Sequence, residues 1–104
     1  MQPLIKLVEQ TIHDMRRDLR IEDMVARQLI RVEVSYATLD AIMSDRDVWK
    51  YVDAFPISTA HPIQFMGVSY YLTKGDYDWR IIGPCKDGAR IGVNIRAKER
   101  EPVE

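Results

Sequence analysis

Few side chains in this chain are of the types that carry enzyme chemistry. Its 104 residues include one cysteine and two histidines. Cys85 lies between Pro84 and Lys86, and a neighbouring cation favours a thiolate, but nucleophilic catalysis also needs a base and a partner that orients it. Nothing in the sequence identifies His13 or His61 as the base for that thiol. Neither histidine has a second His or Cys at the sequence spacing that metal ligands show. The sequence therefore predicts a protein that is not an enzyme and has no metal site and no cofactor.

Two other motifs are better explained as structure than as chemistry. Asp45 and Asp47 offer two carboxylates, whereas Mg²⁺ and Ca²⁺ sites gather several oxygens in a recognisable loop, so we expect these aspartates to cap a helix start. The tripeptide Lys74-Gly75-Asp76 resembles an adhesion motif. A glycine between polar residues is also typical of a hairpin tip, where Gly75 would supply the positive φ that the turn needs. We interpret this stretch as a hairpin.

Composition and charge narrow the class of protein. Hydrophobic residues make up 46% of the chain and charged residues 30%, which is ordinary for a globular domain. We expect one domain over residues 1–97 and a frayed, charged tail over 98–104. The net charge of −1 leaves no whole-molecule field that attracts nucleic acid or anionic lipid. The lone cysteine and the charged N-terminal stretch MQPLIKLVEQ indicate a cytoplasmic protein with no membrane partner and no signal peptide.

The N-terminal region predicts a helix. Pro3 suits a first helical turn, and one apolar stripe follows at helical spacing: Leu4, Ile5, Val8, Ile12, Met15 and Leu19. At about 100° per residue, a second apolar group falls on nearly the opposite side: Ile21, Met24, Val25 and Leu29. Two interpretations stay open. Either the chain bends near Leu19 to Glu22, or one helix runs from 3 to 28 and its second half packs against something else, such as a second subunit.

The rest of the chain alternates between strand and helix patterns. The predicted strands begin at Ile30, Gln64, Tyr77 and Ala89, and the last covers residues 89–96. A helical crossover over about residues 37–52 follows the first strand. Gly67 predicts a bulge or a close backbone approach, and turns at 74–76 and 84–88 would make the last three strands an antiparallel meander. We therefore expect an α+β fold: an N-terminal helical region, then a mostly antiparallel four-stranded sheet with the crossover packed on one face.

The side of the sheet that faces away from the helices carries the most informative polar residues. Alternation places four arginines there: Arg31, Arg80, Arg90 and Arg96. Arginines on a sheet contact phosphates, and Tyr71 on the same side can stack on a base, which predicts a nucleic-acid surface. Glu33 and Asp78 on the same side, together with the balanced net charge, favour instead a solvated or protein-binding face.

The aromatic residues indicate association with another protein. The narrow core of a four-stranded domain cannot hold every aromatic side chain, and four of them are candidates for exposure: Trp49, Tyr51, Phe65 and Tyr71. Exposed Trp, Tyr and Arg side chains anchor protein interfaces. Partial burial under a loop at 54–62 explains these aromatics equally well. With the four outward arginines, they form the predicted interface.

One stretch resembles a known group of proteins. The order of strand, helix start, loop and strand in IRVEVSYATLDAIM and FMGVSYYLT, with a glycine near the start of the second strand, resembles a segment of small tailed-bacteriophage structural and accessory proteins. The segment covers residues 30–73, and Ser69 stands where a proline often follows that glycine. The resemblance implies a role in virion assembly, in the host cytoplasm or the virion, and assigns no functional residue.

These patterns together favour a non-catalytic protein-interaction module that self-associates or docks onto a larger assembly. Its surface would be the outward sheet face or the second apolar stripe of the N-terminal helical region. The alternative is a small nucleic-acid-binding regulator that uses the outward arginines. An enzyme built at a subunit boundary from Asp45, Asp47 or Cys85 has the least support, and no small-molecule substrate is indicated.

Overall fold

The computed structural model describes residues 3–54, 62–84 and 93–100. The helices within these ranges are α1 (Pro3–Leu19), α2 (Asp23–Leu29), α3 (Tyr36–Met43) and the 3₁₀ helix Arg46–Tyr51. The strands are β1 (Arg31–Val34), β2 (Val52–Ala54), β3 (Ile63–Phe65), β4 (Val68–Leu72), β5 (Tyr77–Gly83) and β6 (Val93–Glu99). The predicted α+β class is confirmed. The helical crossover is confirmed as well, because α3 and the 3₁₀ helix connect β1 to β2.

The first apolar stripe forms the buried side of α1. Its buried members are Leu4, Ile5, Val8, Ile12 and Met15, and Leu19 at the end of the helix is half-buried. The helix ends there because Arg20 has a φ of 55°, a left-handed conformation through which a right-handed helix cannot continue. The chain therefore bends between α1 and α2, so the first of the two interpretations of this region is confirmed.

The strands of the described ranges form one mixed, six-stranded sheet in the order β2-β3-β4-β1-β5-β6. The prediction of four strands is wrong, and so is the meander, because β1 lies between β4 and β5. β1 runs parallel to β4 and antiparallel to β5. Backbone hydrogen bonds hold the far end of β1 on both sides, from Thr73 N to Val34 O at 2.9 Å and from Ser35 N to Asp78 O at 2.8 Å. The connection at 74–76 therefore passes the end of β1 instead of forming a hairpin.

The structure explains Gly67 and Gly75 differently from the sequence prediction. Met66 and Gly67 have φ values of 49° and 80°, and they form the two-residue turn between β3 and β4. Two successive positive φ values are typical of the tight turns that match strand twist, so Gly67 makes a turn and not a bulge. Gly75 does not have a positive φ. A Cβ at Gly75 would instead lie 2.5 Å from Cε1 of Tyr77, so close packing of that ring explains the glycine.

The turn at Gly67 also explains the position of Phe65. Because the turn has two residues, Phe65 and Val68 are directly opposite each other and face the same side of the sheet. Phe65 is 1% exposed and packs edge-on against Tyr70, with ring centroids 5.1 Å apart. In a single uninterrupted strand, Phe65 and Val68 would face different sides of the sheet, which is why the sequence indicated an exposed ring. Phe65 belongs to the core and cannot contact a partner.

Local hydrogen bonds fix the ends of several elements. Asp45 Oδ1 accepts a hydrogen bond of 3.0 Å from Asp47 N at the start of the 3₁₀ helix, which confirms the predicted cap. At the other end of the chain, β6 continues to Glu99, and Arg100 N donates to Asp76 O at 3.1 Å. The last strand therefore extends into the segment that we expected to fray.

Candidate interaction surfaces

A carboxylate lies at the centre of the outward sheet face. Glu33 lies in the middle of β1, with Tyr71 opposite it on β4 and Arg80 opposite it on β5. Its Oε1 atom accepts hydrogen bonds from the Tyr77 hydroxyl at 2.8 Å and from Arg80 Nη2 at 2.6 Å. Arg31 Nε donates to Oε2 at 3.3 Å. We call these five residues the Glu33 cluster.

In the Glu33 cluster one carboxylate pairs with two guanidinium groups, so the cluster carries more positive than negative charge. The Glu33 side chain is 13% exposed, and burial by itself raises the pKa of its carboxyl. Hydrogen bonds from Tyr77 and Arg80 and the charges of both arginines outweigh that effect and hold the pKa of Glu33 below its ordinary value. The carboxylate is thus charged at neutral pH and pairs with both guanidinium groups.

The tyrosine rings of the cluster are covered by the same arginines. The guanidinium carbon of Arg31 lies 3.9 Å from the ring centroid of Tyr71, and that of Arg80 lies 4.6 Å from the ring centroid of Tyr77. A base that stacked on either ring would have to displace an arginine, and a phosphate that bound either arginine would compete with Glu33. The cluster therefore has the residue types of a nucleic-acid surface, but its arginines already contact Glu33 and the two tyrosine rings.

Arg96, another of the predicted arginines, does not join the cluster. Arg96 is opposite Ile81 in the β5–β6 register and forms an ion pair of 3.3 Å with Asp14 of α1, so it lies on the face that the helices cover. Simple alternation placed Arg96 outward, but the β5–β6 register shifts between Ile81 and Ile82. Arg90 lies outside the described residues.

Asp78 also departs from its predicted side. It lines a groove of about 320 Å³ on the helix side, together with Pro3, Leu4, Ala37, Thr38, Ala41, Trp79 and Lys98. The register shift between Tyr77 and Trp79 accounts for the change, because it allows neighbouring β5 residues to leave strict alternation. The charge that opposes the outward arginines therefore comes from Glu33.

Trp49 and Phe65, two more of the predicted interface residues, lie apart from the cluster. Trp49 is 52% exposed on the 3₁₀ helix, and its indole Nε1 donates to Met43 O at 2.8 Å. The backbone of Tyr51 ends the same helix, but its side chain lies outside what the structure describes. The predicted residues whose side chains the structure describes thus divide into those of the Glu33 cluster, an exposed Trp49, a buried Phe65 and an Arg96 that pairs with α1.

The second apolar stripe of the N-terminal region forms an exposed surface on α2. Its side chains are 60% exposed at Met24, 41% at Val25 and 46% at Leu29. At about 100° per residue these three residues and Gln28 share one side of the helix, opposite the fully buried Ala26. We call this side, Met24, Val25, Gln28 and Leu29, the α2 surface.

The opposite side of α2 is ionic and faces the protein. Arg27, whose side chain is 15% exposed, donates to both carboxylate oxygens of Glu9 on α1 at 2.8 and 2.9 Å. Its Nε atom donates to Asp23 at 2.7 Å, and Nη1 donates to Met66 O at 3.1 Å. Asp23 also forms an ion pair of 3.7 Å with Arg16. This Arg27 network joins α2 to α1 and to the turn between β3 and β4.

Hydrogen bonds in the Arg27 network favour the charged forms of Arg27 and Asp23. Hydrogen bonds to Glu9 raise the pKa of Arg27 despite its burial, and the hydrogen bond from Arg27 holds the pKa of Asp23 below its usual value. The i,i+4 spacing of Asp23 and Arg27 is a sequence signal for their ion pair. No local signal indicates Glu9 or the Met66 carbonyl, which are distant in sequence.

Within the described ranges, no helix has the length and apolarity needed to span a bilayer. In the same ranges, no three His, Cys, Asp or Glu side chains come together as a metal site would require. Comparisons with protein-family models, with curated proteins and with solved structures find no match to this chain.

Proposed function

We propose that this chain is a non-catalytic protein-interaction module and that the α2 surface is where its partner docks. The observation that carries the proposal is the orientation of α2. Surface helices of globular proteins ordinarily turn apolar residues inward and ionic residues outward. α2 departs from this pattern, because the Arg27 side chain is held against the protein at 15% exposure while Met24, Val25 and Leu29 are 41–60% exposed.

The energetics favour a covered α2 surface. Complete burial of a Val, Leu or Met side chain is worth about 1.5–3 kcal/mol, so covering three half-exposed side chains recovers about 3 kcal/mol. The Arg27 network keeps this side outward, because turning it inward would break the hydrogen bonds to Glu9 and Met66. A contiguous apolar patch held in place by ion pairs is typical of a binding surface.

The partner is a protein, either a second copy of this chain or a larger assembly, and we place the interaction in the cytoplasm. The resemblance of residues 30–73 to small tailed-bacteriophage proteins supports a role in virion assembly or as a phage accessory protein. Under that proposal the assembly would be a virion component.

The alternative function, a nucleic-acid-binding regulator, is favoured by the co-location of Arg31, Arg80 and Tyr71. It is opposed by Glu33, which already pairs with both arginines. This alternative predicts salt-sensitive retention on DNA or RNA that weakens when Arg31 and Arg80 are both changed to Gln. Absence of retention at low salt would exclude it.

The proposed function is tested by photo-crosslinking in cells that produce the chain. A photoreactive side chain at position 25 should give discrete adducts with protein. The matched control is position 36, because Tyr36 is 74% exposed and lies beyond the far end of β1, a strand about 13 Å long. Adducts at position 25 should also diminish when Met24 and Leu29 are changed to Gln. Equal adducts at both positions, or none at either, would contradict the proposal.

A further inference from the structure

We infer that a second copy of this chain covers the α2 surface, with the two α2 helices antiparallel across a two-fold axis. The inference rests on the proposed function, because it names the partner of the same surface. It is argued from three features of α2: the symmetry of its apolar side, the charges at its two ends and its size.

The apolar side of α2 is complementary to itself. In an antiparallel pair centred between Ala26 and Arg27, Met24 would face the partner's Leu29, and Val25 would face the partner's Gln28. Each contact then occurs twice, as a two-fold interface requires. Gln28 is the one polar side chain on the α2 surface, and it is uncharged. A second copy would therefore bury no unpaired charge at the centre of the interface.

The charges at the ends of α2 favour the antiparallel orientation. The exposed Glu22 precedes the helix, and Arg31, whose side chain is 51% exposed, follows it. Arg31 also donates to Glu33 at 3.3 Å, but Glu33 shares its single charge between Arg31 and Arg80, so Arg31 can still attract a second carboxylate. In the antiparallel pair, Glu22 of each chain approaches the partner's Arg31, whereas a parallel pair would bring like charges together. The net charge of −1 also means that two copies do not repel each other strongly. The chain thus carries complementary groups at both ends of its own apolar patch.

The size of the surface sets the strength of the dimer. Seven residues of α-helix span about 10 Å, and a standard interface buries about 800 Å² on each partner. The α2 surface supplies only part of such an area, even with the neighbouring Ile21. We therefore expect a weak, concentration-dependent dimer with a dissociation constant of roughly 10 μM to 1 mM, and not an obligate one.

Sedimentation velocity of the purified chain from about 5 μM to 1 mM tests the inference. The mass should rise with concentration from 12.1 kDa toward twice that value. Changing Met24 and Leu29 to Gln should weaken dimerisation by about tenfold or more. Tyr36→Gln, which removes an exposed aromatic residue elsewhere, should leave it unchanged. A thermal melt of each variant establishes that it is folded.

A pair of charge variants tests the orientation. Glu22→Arg should weaken the dimer by about five- to tenfold, because the new arginine would repel the partner's Arg31. In an Arg31→Gln background the same substitution should weaken it by only about twofold. An equal effect in both backgrounds would overturn the antiparallel arrangement, and so would growth of the mass beyond that of a dimer.

The test also separates the inference from the proposed function. The chain could stay at 12.1 kDa at every concentration and still give position-25 adducts with a different protein. That result would refute the second copy as the partner and would leave the proposed docking function intact. A monomer without adducts overturns both. A dimer that the Met24 and Leu29 substitutions do not weaken overturns the inference, because the second copy would then bind elsewhere.

Discussion

Replacement of Arg27 by methionine should be among the most destabilising single changes in the helical region. Methionine keeps much of the apolar stem of arginine but loses every donor of the Arg27 network. The change removes the paired hydrogen bonds to Glu9 and the bonds to Asp23 and Met66 O. It therefore removes the polar contacts that join α2 to α1 and to the turn between β3 and β4.

The structure sets the size of the effect. Breaking a fully buried ion pair costs about 3–5 kcal/mol, because the remaining charge is stranded. The carboxylates left behind are not fully buried, since the side chains of Glu9 and Asp23 are 32% and 41% exposed and can regain water. We therefore expect a loss of about 2–3 kcal/mol in the free energy of unfolding, which lowers Tm by roughly 10–20 °C in a domain of this size.

Urea unfolding followed by circular dichroism measures this loss. The matched control is Arg17→Met on α1, because Arg17 pairs with Asp14 and Asp18 but its side chain is 65% exposed. That control should change the free energy of unfolding by less than about 0.5 kcal/mol. If Arg27→Met costs no more than Arg17→Met, the Arg27 network does not hold α2 in place, and the explanation for its outward apolar side is refuted.

Three further substitutions test the sheet. Gly67→Ala should cost about 1–2 kcal/mol in chemical denaturation, because alanine resists the left-handed φ of 80° while its Cβ would lie 3.5 Å or more from Arg27; an unchanged midpoint would argue against the turn. Gly75→Ala should push the Tyr77 ring away from Glu33 and cost about 1–2 kcal/mol, and it should cost much less in a Tyr77→Ala background, which lacks the ring carbons that the new Cβ would meet. Glu33→Gln should lower stability by about 1–2 kcal/mol at pH 7. The pKa of Glu33 is lower in the folded chain than its ordinary value of 4.5. The stability that the charged Glu33 contributes is therefore complete above pH 4.5 and is lost as the pH falls through the folded pKa. The difference in stability between Glu33→Gln and the wild type should thus shrink in acid and not in base.

Features set by short-range periodicity could be predicted from the sequence. The α1 stripe is a simple 3.6-residue pattern. The change of apolar side after Leu19 predicted either a bend or one helix with a second contact surface, and the φ of Arg20 selects the bend. Val32 and Val34 alternate with polar residues and are buried as expected. The exposed stripe of α2 was also visible, because an apolar group opposite the core side of a preceding helix needs another surface to contact.

Features set by distant residues could not be predicted. Alternation identifies a strand but not its neighbours, so nothing in residues 68–83 indicated that β1 separates β4 from β5. The turn at Met66 was hidden because methionine seldom adopts a positive φ, and this reversed the predicted side of Phe65. The Arg27 network was missed because the carboxylate of Glu9 and the carbonyl of Met66 approach α2 only in the folded chain.

Pulsed oxidation footprinting of Met24 is the most direct test of whether the α2 surface is covered by protein. In the dilute purified chain, where Met24 is 60% exposed, its oxidation should be fast. In cells that produce the chain, and in the concentrated chain if the partner is a second copy, oxidation of Met24 should slow several-fold, while the half-buried Met43 should be oxidised at the same rate throughout. Oxidation of Met24 at one rate in all of these conditions would contradict a docking role for α2.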